Sequence, residues 1–124
     1  MINAPEIIWP VPWKPILNEE NDSDLKSAWT EWRRMYPDVA PTVWEELLRE
    51  MAPLHALQGV QMIPIAWNPV DAKEFVFATD RSDIPFVIVH LTWAVETDPI
   101  LPMAFAFPDL NTLLTRLERS QRKA

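Results

Sequence analysis

The chain has 124 residues, enough for one domain with a core of its own, and at 48% hydrophobic and 23% charged it reads as globular rather than disordered. It has no cysteine, which excludes disulfides and thiolate metal sites, and a formal charge of −7, which disfavours general binding to nucleic acid. One glycine against thirteen prolines argues against glycine-rich phosphate loops, because little of the chain has easy access to positive φ. In chain order, Met1-Ile2-Asn3-Ala4-Pro5 lacks the basic-then-apolar pattern of a signal peptide, and no run approaches the ~20 apolar residues of a membrane span. The expected compartment is the cytoplasm, with no membrane partner. Residues 1–17 carry closely spaced prolines around Trp9 and Trp13, which exclude a helix and predict an extended leader. Such a leader packs its tryptophans on the sheet, or else docks in an aromatic-lined groove of an adaptor's partner.

After the polar stretch Asn18–Asp22, Leu25, Trp29, Trp32 and Tyr36 recur at helical spacing, with Asp22 or Ser23 as cap and Pro37 as the stop. Thr42 and Glu45 have the spacing of a capping box and announce a second helix, whose expected buried face is Trp44, Leu47, Leu48 and Met51. Gly59 then turns the chain into a strand, Val60 to Trp67. Pro64 cannot donate a ladder bond, so that strand belongs near a sheet edge or contains a bulge. Glu74 to Thr79 predicts a short strand. Phe86 to Trp93, the longest β-branched and aromatic run, predicts an interior one with Phe86, Ile88 and His90 on one side and Val87, Val89, Leu91 and Trp93 on the other. Met103 to Phe107 predicts a further strand, and Leu110, Leu113, Leu114 and Leu117 a last helix capped by Asp109. Arg116, Arg119, Arg122 and Lys123 make its end basic and suit a helix C-terminus. The expected fold is a single α+β domain over 1–124: two N-terminal helices, an antiparallel meander of three to four strands, and a C-terminal helix packed on the sheet.

The catalytic inventory is thin. His90 paired with Asp80 or Asp83 is the one base-and-orienter arrangement to consider, but a histidine inside an interior strand reads as a buried group satisfied by a neighbouring hydroxyl or backbone atom. His55 has no obvious carboxylate cluster beside it except Glu50, and is weaker still. No metal-binding motif joins the two histidines, and no serine sits in a nucleophile elbow. The expectation is therefore a protein that is not an enzyme and carries no cofactor or metal. The acids are more informative. Asp71 with Glu74, Asp80 with Asp83, and Glu96 with Asp98 all fall in or beside turns between strands, and successive turns of a meander alternate between its two ends. Asp71, Glu74, Glu96 and Asp98 then share one end, where Trp67 and Trp93 terminate strands and offer aromatic anchors for a basic protein partner.

Val89-His90-Leu91-Thr92-Trp93, followed by Glu96 and Pro102, resembles a group of small uncharacterised bacterial proteins with a V-H-L-T-W strand. The likeness covers roughly the C-terminal half and extends to His55–Gly59. It resembles the immunity proteins of secreted polymorphic toxins, which implies binding and neutralisation of a cognate toxin. The chain departs from the group after Trp93, where it reads Ala94-Val95-Glu96-Thr97 in place of a glycine-containing turn. The resemblance supplies no functional residues. The alternatives are an adaptor or secretion chaperone using the leader, and a small enzyme using His90.

Overall fold

The elements follow from where the chain supplies caps, stops and apolar faces. The structure, a computed structural model, describes residues 7–71 and 73–122; residues 1–6 of the expected leader, and Lys123 of the basic tail, lie outside them. Asp22 caps helix α1 (Ser23–Met35) by accepting from the Leu25 amide at 3.0 Å, and Leu25, Trp29 and Trp32 form its buried face, while Tyr36 at its end is exposed. Helix α2 (Val43–Glu50) begins at Thr42, whose hydroxyl oxygen accepts from the Glu45 amide at 3.2 Å and whose O–H donates to the Glu45 carboxylate at 2.9 Å. Of the expected buried face, Leu47 and Met51 are buried and Trp44 is partly so. Val43, Glu46, Leu47 and Glu50 point inward, whereas Leu48 is exposed. Helix α3 (Leu110–Arg122) starts where Asp109 accepts from the Thr112 amide and hydroxyl at 2.7 and 2.8 Å.

Between α2 and α3 run four of the five strands. The order in the sheet is β1 (Lys14–Pro15), β2 (Met62–Trp67), β3 (Glu74–Thr79), β4 (Phe86–His90) and β5 (Met103–Phe107), antiparallel throughout. The sheet thus has five strands instead of three to four. The additional one is a two-residue strand inside the leader, paired through Lys14 with Trp67 and Pro15 with Ala66. Gly59, at φ +82°, makes the turn that precedes β2. Pro64 lies at a bulge, where Pro64 pairs with Phe77 and Ala66 with Val76, leaving Ile65 as the extra residue. β4 stops at His90, three residues short of the expected Trp93.

Both faces of the sheet are covered. One cluster joins Leu25, Trp29, Trp32, Val43 and Leu47 of the first two helices to Phe75, Phe77, Val87 and Val89. The other joins Leu113 and Leu117 of α3 to Val76, Ala78, Phe86 and Ile88, with Trp13 of the leader. Among the described residues, no helix is long and apolar enough to cross a membrane.

Candidate functional site

The register sets what meets at each end of the sheet. β2 ends at Trp67, β3 begins at Glu74, β4 ends at His90 opposite Glu74, and β5 begins at Met103 opposite His90. The β2–β3 turn and the long β4–β5 loop therefore lie at one end, with Asp71, Glu74, Glu96 and Asp98. Asp80 and Asp83 lie at the other, where Asp80 accepts from the Gln61 amide and Asp83 pairs with Arg81 at 2.6 Å. Neither is the neighbour of His90. That place is taken by Asp71 and Glu74, whose carboxylate oxygens lie with a ring nitrogen of His90 all within 4.8 Å of one another.

A position for His90 inside a strand interior, as the sequence suggests, hides this triangle. With the strand ending at His90, its ring is half-buried, and no described residue hydrogen-bonds it. The hairpin register pairs His90 with Glu74 because the turn takes in Ile84 as well as Asp80–Asp83; the polar stretch alone points to Lys73. The turn also orients the acids. The Asn68 side-chain oxygen accepts from the Val70 and Asp71 amides at 2.9 and 3.3 Å, which leaves its NH₂ to donate to Glu74 at 3.0 Å. Asp71 in turn accepts from the Lys73 amide at 3.3 Å.

Behind this end, a buried acid holds the β4–β5 loop. Glu50 is fully buried and accepts from the Thr92 amide at 2.7 Å, the Thr92 hydroxyl at 3.0 Å and the Trp93 amide at 2.9 Å, while its own backbone carbonyl accepts from Glu96. Trp93 sits at φ +59°, a left-handed conformation that costs an L-residue roughly 1–2 kcal/mol. The Glu50 carboxyl also shares a hydrogen bond with Glu46, which accepts from the Ala40 amide at 2.9 Å and from Arg49 at 2.8 and 2.9 Å. Burial, reinforced by that Glu46 contact, pushes the Glu50 carboxyl up to about 8 against the pull of Thr92. Burial acts on Glu46 in the same sense, but hydrogen bonds from Glu50, Arg49 and Ala40 outweigh it and hold Glu46 below the usual carboxylate range. The balance favours a protonated Glu50 beside an ionised Glu46. His55 is tied in as well, accepting from the Leu57 amide at 3.1 Å on Nδ1 and lying 2.9 Å from the Pro102 carbonyl on Nε2. Those contacts fix its Nε2–H tautomer.

The expected aromatic anchors are elsewhere. Trp67 and Trp93 are 4% and 7% exposed and pack into the cluster beneath α1, where Trp93 lies edge-on to Trp29 at 5.4 Å and Trp32 edge-on to Trp67 at 6.3 Å. Rings so enclosed present no face to a partner. What this end does expose is Val70 at 81%, Val95 at 64% and Ile100 at 66%, residues the sequence reasoning did not single out. Asp98 is exposed beside them in sequence, and Asp71, Glu74 and Glu96 are half-buried. A separate open groove of about 850 Å³ runs between α1, α2 and the start of β2, lined by Lys26, Trp29, Arg33, Trp44, Met62 and Ile63 among others.

No family model matches the chain, and neither a curated protein nor a solved structure matches it.

Proposed function

We propose that the chain is a protein-binding domain that neutralises a basic bacterial toxin domain by covering its active site, and that it binds through the end of the sheet carrying the β2–β3 turn and the β4–β5 loop. The observation that carries this reading is the pairing of exposed Val70, Val95 and Ile100 with Asp71, Glu74, Glu96 and Asp98 at that end. Apolar side chains left in water without need supply the desolvating contact, and the acids supply steering toward a basic partner. A net charge of −7 acts in the same sense, and the resemblance of Val89–Trp93 to the immunity-protein group supplies the class of partner. The Glu50 tie matters here because a loop held before binding loses less entropy on binding. On this reading the chain is cytoplasmic, is not an enzyme, and exerts its effect by occlusion. The adaptor reading has less support: Trp13 and Ile16 of the leader are buried within the domain, which leaves Ile8, Val11 and Leu17 as its exposed apolar residues.

The test is co-expression with the product of the adjacent reading frame, followed by co-purification and binding kinetics. The Asp71→Lys/Asp98→Lys double variant should slow association about tenfold at low salt, with the difference shrinking as salt rises. Ile100→Glu should instead speed dissociation. Failure to capture any partner, or wild-type kinetics in both variants, would reject the proposal.

A further inference from the structure

We propose that Asp71, Glu74 and His90 form a binding site for a divalent transition-metal ion, with Zn²⁺ as the ion that the donor set fits. Two carboxylate oxygens and one imidazole nitrogen converge within 4.8 Å, from two strands whose register fixes Glu74 directly opposite His90. A tetrahedral Zn²⁺ with bonds of about 2.0–2.1 Å holds its ligand atoms roughly 3.3 Å apart. The triangle therefore has to contract by a rotamer adjustment, which Asp71, held on its turn by a 3.3 Å contact from the Lys73 amide, can make. Three protein ligands leave the fourth position open to water or to a donor from outside.

Three observations favour this triangle as a metal site. Asp83 is neutralised by Arg81 and Asp24 by Lys14, whereas no ion pair among the described residues reaches Asp71 or Glu74. The histidine ring has both nitrogens available, since no described residue hydrogen-bonds either, in contrast to His55, where both are engaged. Asn68 already stands behind Glu74 as an outer partner, its amide turned by the Val70 and Asp71 N–H groups so that its NH₂ fixes one carboxylate oxygen and leaves the other to a metal. The imidazole decides the class of ion. Ca²⁺ and Mg²⁺ prefer all-oxygen shells, whereas a mixed nitrogen and oxygen set suits Zn²⁺ and its neighbours.

The site is defined by the isolated chain and stands whether or not the end of the sheet binds a protein. Isothermal titration of chelator-treated protein with Zn²⁺ should show saturable binding of a single ion that Mg²⁺ does not compete away. Asp71→Asn and His90→Gln should each weaken it about tenfold or more while circular dichroism stays that of the wild type. With only two histidines in the chain, the ring signals identify the ligand directly: His90 should shift on titration and His55 should not. Should His90→Gln fail to fold, Asp71→Asn and the ring signals of the wild type still decide. No Zn²⁺ binding, unchanged affinity in Asp71→Asn, or a shift at His55 in place of His90 would overturn the site.

Discussion

Single side chains settle how much of this core is polar, and by what means. Trp29 and Trp67 are both buried indoles of the same cluster, but they differ in one atom's surroundings. The Trp29 Nε1–H donates to the Ala40 carbonyl at 2.8 Å, whereas the Trp67 Nε1–H is buried and finds no partner among the described residues. Replacement by phenylalanine removes similar apolar bulk in both cases. At Trp29 it also orphans a carbonyl, while at Trp67 it removes a donor that was already unpaired. The expected result is that Trp29→Phe destabilises by about 1–3 kcal/mol more than Trp67→Phe. Urea unfolding midpoints read this directly, and an equal or larger loss for Trp67→Phe would mean that its N–H is satisfied. The same scale shows why sequence alone does not place three groups. Glu46 and Glu50 look like the solvated acids of an exposed helix face, because the partners that make their burial tolerable lie far along the chain, at Thr92 and Trp93 for Glu50. The third, Trp93, looked accessible because nothing local announces a left-handed residue there.

At the scale of elements, what was legible was what is encoded locally. The caps at Asp22, Thr42 and Asp109 and the short strands β3 and β5 are written in neighbouring residues, and they form as expected. β1 was not legible, since a lysine and a proline alone carry no alternation, and only the edge of β2 calls them into the sheet. Pro64 did announce an irregularity, and the bulge explains how β2 serves both clusters. Met62 and Trp67, of opposite parity, fall in the same cluster because Ile65 is the extra residue between them, while Ile65 and Ala66 belong to the other. The leader acts similarly. Trp13 is buried in the α3 cluster and Ile16 in the α1–α2 cluster, so this short strap is anchored on both faces of the sheet. Deleting residues 1–17 removes both anchors. Trp-to-Ala and Ile-to-Ala truncations in a core typically cost roughly 2–5 kcal/mol each, and anchors in separate clusters should add. Set against a total stability of about 5–15 kcal/mol, the deletion should leave the domain largely unfolded near room temperature. A truncated chain with the full-length unfolding midpoint would show the leader to be a detachable segment.

For the whole molecule, the meander's alternation was enough to bring Asp71 and Glu74 to the same end as Glu96 and Asp98, but the depth of each residue was not readable, and depth decides what it can do. Depth also makes stability depend on pH in an unusual direction. Glu50, raised from its ordinary value of 4.5 to about 8, holds its proton in the folded chain over a range where the unfolded chain has lost it. Its contribution is fully present below about pH 4.5 and is lost as pH rises through about 8. Glu46, held low, acts in the opposite sense: its contribution is present above its unfolded value and falls away in acid as pH drops through its folded one. Between mild acid and mild base Glu50 therefore sets the slope, and each unit of its shift is worth about 1.4 kcal/mol. The unfolding midpoint should fall as pH rises from about 5 to about 9, a window in which most carboxylate-rich proteins gain or hold stability. Above pH 8 a second charge beside Glu46 also weakens the reason for Thr92 and Trp93 to stay in place, so amide exchange should accelerate in the loop from Thr92 to Leu101 before it does in β3. Glu50→Gln separates charge from shape. A glutamine stays neutral at every pH, so the slope should flatten, but its single acceptor oxygen cannot serve Thr92 and Trp93 together, so the variant should be weaker than wild type by about 1–3 kcal/mol near pH 5. A wild-type midpoint that is flat or rises across the window would mean that Glu50 is ionised in the folded chain, and the loop would then be held by a charge rather than by a shared proton.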